Sequence, residues 1–238
     1  MRGNPDAVPA LMLARNILFQ KQLMINFSID ADAFAIDEAP GTLQHRKRVG
    51  KLKTIVEDAK RVFVREGYSG FTLRKVASEA EVPLGTLQHY FSTRELLLRA
   101  VIVQTIEEYN EGYERIAMSA APADKRLEAI MDQILTEIRD RDTRVFFLEI
   151  SAVACHHAFA RQAVEQAQQA YLGTLSRLVG ELNPSMGARE CELRALLIAS
   201  QVEGLMMFSQ SIDADRMPDA EPLRRAVIMV AKSLSSAG

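Results

Sequence analysis

Only two cysteines occur in 238 residues, Cys155 and Cys191. Two thiols make no disulfide framework, and such sparse use fits a reducing cytoplasm. Tryptophan is absent, and glycine (12) and proline (8) are few. That scarcity of chain breakers leaves room for long helices and argues against a turn-rich β fold. No apolar run reaches the roughly 20 residues needed to cross a bilayer, so no membrane partner is expected. The N-terminal PALMLARNILF is apolar in patches, but Asp6 precedes it and Arg15 and Lys21 interrupt it, which makes a poor signal peptide. Enzyme signatures are missing too: there is no phosphate-binding Walker loop, no dinucleotide fingerprint, no G-x-S-x-G and no H-E-x-x-H. Nothing demands a cofactor. Cys155-His156-His157 is the one metal-like cluster. Successive helical residues point about 100° apart, so the three converge poorly on one ion. They read better as a helix end with one packed and one exposed histidine.

What is present is helical periodicity in a chain that is 48% hydrophobic, enough for a sizeable core in one or two domains. The net charge of −2 conceals an asymmetry. Residues 46–94 hold 11 Lys/Arg against 5 Asp/Glu, a net of +6, and the remainder holds 18 against 26, a net of −8. A basic head on an acidic body suits a protein that presents one end to phosphates, although an unevenly charged solvated surface reads the same way by charge alone.

The stretch FTLRKVASEAEVPLGTLQHYFSTRELL, residues 71–97, carries the most information. Leu73, Val76, Ala77 and Ala80 fall at i, i+3, i+4 and i+7, one apolar helical face. Glu81-Val82-Pro83 interrupts it, and proline fits the first turn of a new helix. The following segment, 84–91, turns Leu87 and Phe91 inward. Its other side presents Thr86, Gln88 and His89, with Tyr90 at the boundary. A short helix with a hydrogen-bonding outer face, braced by a preceding helix, is what reading the DNA major groove requires.

These residues resemble the DNA-binding head of the TetR family of bacterial transcriptional regulators. Gly67-Tyr68, Phe71-Thr72-Leu73, Val76-Ala77, Ala80, Gly85-Thr86-Leu87, Tyr90-Phe91 and Arg94-Glu95-Leu96 stand in the family's order and spacing. The resemblance covers residues 49–103; beyond them it rests on helical architecture. It implies contacts to double-stranded DNA from Thr72, Arg74, Gly85, Thr86, Gln88, His89, Tyr90 and Arg94, to which the basic cluster before them adds Arg48. There are departures. Glu81 occupies a turn position usually held by glycine, where a left-handed backbone costs a non-glycine residue about 1–2 kcal/mol. Pro83 replaces a capping serine and forgoes its hydrogen bond. Gln88 stands where a tyrosine commonly touches phosphate.

The rest of the chain reads as an extension, 1–45, and a helical body, 96–238. The extension includes a candidate helix over 9–27. His45-Arg46-Lys47-Arg48 forms a basic cluster before the first head helix, 49–66; it serves as a DNA-contacting arm or as a solvated linker. Gly67 fits that helix's C-cap. A fourth helix starts near Thr93 and couples head to body. Further helices are expected from Asp124, from a cap at Asp142 or Thr143, over 158–182, over 188–212 and over 223–234. The fold class is therefore all-α: a three-helix helix-turn-helix head, 46–95, on a larger ligand-binding and dimerisation body.

The last two helices carry excess apolar surface, which suggests a second subunit, and the resemblance implies the same. The interface residues expected are Leu193, Leu197, Gly204, Phe208, Leu223, Val227, Val230 and Leu234. A small-molecule effector pocket between body helices is expected to use Tyr109, Tyr113, Phe146, Phe147, Glu149, Tyr171, Gln201, Glu203 and Met206. Glu149 and Glu203 sit among apolar neighbours, where a carboxylate meets a cationic ligand or simply faces water. The function expected is a homodimeric, cytoplasmic, ligand-responsive repressor and not an enzyme. The alternatives are a DNA-binding regulator without an effector and a helical enzyme using His156 or His157.

Overall fold

The computed structural model describes residues 43–209 and 220–236, with side chains from 49–209 and 221–236. The expected helix over 9–27 and most of the extension lie outside the described residues, as does the end of the helix expected to reach 212. Among the described residues there are nine helices and no strand: α1 Leu43–Gly70, α2 Leu73–Glu79, α3 Leu84–Tyr90, α4 Arg94–Ala117, α5 Ala123–Arg139, α6 Arg141–His156, α7 Ala158–Leu182, α8 Ala188–Phe208 and α9 Ala220–Ser235.

The chain forms two compact units. In its described part the head comprises 43–62 and 70–101, and the body comprises 63–69 with the residues from Ile102 onward. The division thus falls inside α1 and α4, six residues further along α4 than the expected boundary at residue 95. The reason is packing: Leu97, Leu98, Ala100 and Val101 at the start of α4 are buried, as are the other head residues Ile55, Val56, Ala59, Val62, Phe71, Val76, Ala77, Leu87 and Phe91.

The basic run 45–48 is helical, because α1 begins at Leu43 and not at Val49. It is no extended arm. Near its other end α1 breaks at Gly67, where φ is +64° and ψ is −180°, a backbone region that a Cβ disfavours. Thr72 then caps α2 by accepting the Lys75 N–H at 3.3 Å. Arg61 holds α2 against α1 through Asp58 on its own helix and Glu79 at 3.4 Å.

The α2–α3 turn is a Schellman motif. Val82 N–H reaches the Ala77 carbonyl at 3.0 Å and Glu81 N–H the Ser78 carbonyl at 3.3 Å. Glu81 takes the left-handed position, φ +51°. Pro83 precedes α3 without a side-chain cap, and its carbonyl accepts the N–H groups of Thr86 and Leu87.

In the body, Leu127, Ile130, Met131, Ile134, Leu135 and Ile138 of α5 are all buried in one core with Leu175, Leu178, Val179, Ala195, Ile198, Val202 and Val227. Pro122 precedes α5 as its N-cap residue. The cap of α6 is Asp140, not Asp142 or Thr143: its carboxylate accepts Thr143 N–H at 2.8 Å. Arg224 of α9 clamps Asp132 of α5 in bidentate fashion at 2.5 and 2.7 Å.

Glu81→Gly should stabilise the head by about 1 kcal/mol: relief of left-handed strain exceeds glycine's extra freedom in the unfolded chain. Urea denaturation followed by helical circular dichroism would show a later midpoint; an earlier one would mean that the Glu81 side chain contributes a contact.

Candidate functional site

The head offers one face built for contact. α3 has only seven residues, too few to be stable by itself. Leu87 and Phe91, 0% and 2% exposed, anchor it in the head core. That anchoring fixes the opposite side outward: Gln88 and His89 are exposed, and Thr86 and Tyr90 are half-buried. The His89 and Tyr90 rings stack edge-on with centroids 5.5 Å apart. Gly85 leaves open space where a side chain would stand. Arg74 is exposed on α2. Arg94 donates to Glu95 at 2.9 Å, so part of its charge is neutralised at the start of α4. Thr72 spends its hydroxyl oxygen on the α2 cap, but its O–H remains a donor. The side chain of Arg48 lies outside what is described. Polar donors and acceptors on a rigid, core-anchored helix, with basic residues beside it, define a helix-turn-helix DNA-binding head.

The comparisons agree with that class. Residues 55–101 match the family model of bacterial regulatory proteins, tetR family. The HTH-type transcriptional regulator PksA of Bacillus subtilis is 33% identical over 110 residues, which are 45% of this chain and 52% of PksA. The chain thus spans about half the length of that relative. Among solved structures, a TetR transcription regulator from Haloarcula marismortui aligns with a TM-score of 0.65 at 16% identity, over 79% of this chain and 97% of its own. FadR from Bacillus subtilis, solved in complex with stearoyl-CoA, aligns with a TM-score of 0.60 at 20% identity, over 75% of this chain and 96% of its own. Residues 55–101 thus carry the DNA-binding head of the tetR family of bacterial regulatory proteins, and the chain as a whole shares the fold of solved regulators of that kind.

The body contains a cavity of about 80 Å³ walled by α4, α5, α6, α7 and α8. Of the residues expected there, Tyr109, Tyr113, Phe147, Tyr171, Glu203 and Met206 line it. Phe146, Glu149 and Gln201 do not. Phe146 is fully buried against Phe63, ring centroids 5.9 Å apart. Glu149 accepts the Tyr68 N–H at 3.4 Å and lies over Gly67, bracing the break in α1. Gln201 is off the lining, one residue before Val202, which is on it. All three sit within two residues of a lining position, and 100° per residue turns them away. His157 packs on Tyr68 at 4.7 Å between ring centroids, while His156 and Cys155 are exposed.

Glu137, which the sequence reading did not select, is the central polar group of the cavity. Tyr113 donates its hydroxyl to one carboxylate oxygen and Gln133 donates to the other at 2.8 Å. Gln133 can reach it because Gly112 opposite has no side chain; a Cβ there would lie 2.6 Å from the Gln133 amide nitrogen. Burial pushes the Glu137 carboxyl above the usual carboxylate range, against the lowering effect of its two hydrogen bonds. Tyr109 donates to Thr143 at 3.0 Å, since Thr143 already gives its own hydroxyl proton to Asp140 at 2.7 Å. Tyr171 has a buried hydroxyl with no hydrogen-bond partner. Glu203 keeps much of its surface exposed, yet the burial of its carboxyl raises its pKa.

A carboxyl whose pKa is raised on folding contributes stability that is complete below the unfolded pKa and lost as pH rises through the folded pKa. Glu137→Gln should therefore raise the melting temperature near neutral pH, and the gain should shrink on acidification through the carboxylate range. A gain that does not depend on pH would show that Glu137 carries no titration penalty.

Proposed function

We propose that this regulator is a homodimeric repressor that reads a palindromic operator with two copies of α3 and is released by a small molecule in the body cavity. One observation carries the reading: Leu87 and Phe91 are buried while Gln88 and His89 stand exposed, so the polar face of α3 is held outward and rigid. A glutamine there can pair bidentately with adenine in the major groove. Thr72, Arg74, Tyr90 and Arg94 are assigned to phosphates, with Arg48 beside them, and Gly85 allows close approach of the backbone.

Dimerisation is supported by apolar surface that stands exposed on the body. Leu193, Leu196, Leu197, Met207 and Phe208 are exposed on α8, and Met229 and Val230 on α9. A patch of this kind marks an interaction site. It amends the interface expected from sequence. Leu193, Leu197, Phe208 and Val230 point outward, whereas Val227 is buried in the chain's own core and Leu223 and Leu234 pack against it. Gly204 is half-buried between the exposed positions. A two-fold pairing through α8 and α9 would set two recognition helices about one DNA turn, roughly 34–36 Å, apart.

The cavity supports effector control, because ligand binding to one head spacing must oppose DNA binding to the other. The stearoyl-CoA of the FadR structure is an anionic thioester, and the lining here has Glu137 and Glu203 and no lysine, arginine or histidine. That lining gives no counter-charge for an acyl-CoA.

Selection of bound duplexes from a random pool should return an inverted repeat, and a non-symmetric or absent motif would overturn the dimeric reading. Gln88→Ala should relax preference at one position in each half-site, at a cost of about 1–3 kcal/mol there. An unchanged sequence profile would remove Gln88 from the base-reading face.

Phe208→Glu should split the dimer and leave a folded protomer, since the side chain is 67% exposed there. Val227→Glu should instead unfold the body, because its charge would lie in the core. Sedimentation and circular dichroism together separate the two outcomes; a Phe208→Glu variant that sediments as the parent does would place the interface elsewhere.

A further inference from the structure

Resting on the reading of the body as an effector domain, we propose that its cavity takes a compact lipophilic cation, an amine or quaternary ammonium on an apolar frame, with Glu137 as counter-ion and aromatic rings as walls. Three independent features point to this class.

The first is charge. Glu137 and Glu203 both line the cavity, and no lysine, arginine or histidine does. Glu137 accepts hydrogen bonds only from neutral donors, Tyr113 and Gln133. A carboxylate in apolar surroundings without a cation is costly, and a positive ligand supplies what the fold omits. Two lone-pair sites of the carboxylate remain open after those two bonds.

The second is the wall. Tyr109 and Phe147 have ring centroids 5.3 Å apart, and Tyr113 and Tyr171 have theirs 5.5 Å apart. Four rings in two tilted pairs thus line one small cavity, and aromatic rings are what hold alkylammonium groups.

The third is the Tyr171 hydroxyl, buried and without a partner. A buried hydroxyl left unmatched costs free energy. Its oxygen can accept an amine N–H or turn its lone pairs toward a quaternary head group. The cavity of about 80 Å³ suits a compact head group.

The test compares three benzyl ligands of differing charge by calorimetry on the full-length protein. Benzyltrimethylammonium is the cation, neopentylbenzene its uncharged isostere and phenylacetate the anion. The cation should bind about tenfold or more tighter than the isostere, and phenylacetate should bind weakest. Glu137→Gln should remove about a tenfold share of the cation's affinity while the isostere still binds. Phe147→Leu, which keeps the carboxylate, should also weaken the cation more than the isostere, so the result stands on a second variant if the first folds poorly. Binding of neopentylbenzene or phenylacetate as tight as that of the cation, an unchanged cation affinity in Glu137→Gln, or no binding by any of the three would overturn the assignment. Operator release is read separately. A cation that binds and leaves the operator complex intact supports the ligand class and removes the effector reading. Phenylacetate that binds and loosens the operator does the opposite.

Discussion

A seven-residue helix cannot hold itself in water, and the face proposed to read DNA lies on one. Everything α3 does depends on the burial of Leu87 and Phe91 in the head core. Two residues at i, i+4 fix the helix's rotation about its own axis, and that rotation alone decides that Gln88 and His89 face outward. The Schellman turn before it sets the angle of entry, with Glu81 tolerated at φ +51° where glycine is easier. The head accepts local strain to keep one geometry.

The body solves a different problem. Its helices bury one continuous core, yet leave a small cavity whose polar groups are only partly matched. Glu137 is hydrogen-bonded but not neutralised, and the Tyr171 hydroxyl is not bonded at all. Gly112 contributes by absence, letting Gln133 approach the carboxylate. A core built only for stability would avoid such groups, since each lowers it. Their presence around one space supports the proposed effector site. Phe147 lines that space, and two residues along the same helix Glu149 braces the break at Gly67 near the end of α1. Helix α6 therefore touches both the cavity and the segment leading into α2.

Much was legible in the sequence because helical periodicity is local. The stripe from Leu127 to Ile138 is buried at every expected position. The helix over 158–182 has the expected limits, the glycine break at 67 was readable from residue type, and the strained Glu81 followed from the family resemblance. The order of motif residues from Gly67 to Leu96 was enough for the family. The domain boundary was not readable, because α1 and α4 run through it and a continuous helix carries no local signal where its packing partners change. Nor was the cap at Asp140, one of two nearby aspartates that both suit the role.

What sequence could not decide was which of several adjacent side chains shares a space with which. Phe146 and Phe147 are equal in sequence, but one turns to Phe63 and the other to the cavity. Glu149 and Glu203 each sit among apolar neighbours in sequence, but Glu149 meets a backbone N–H while Glu203 lines the cavity, as does the unselected Glu137. Val227 and Phe208 both read as interface, though one is core and the other exposed. Sequence by itself determined the helices, the apolar stripes and the motif, since each follows from spacing along one chain segment. Tertiary structure decided the cavity, its carboxylate and the uncovered face, since these depend on a rotation of 100° per residue about helix axes whose neighbours are distant in sequence.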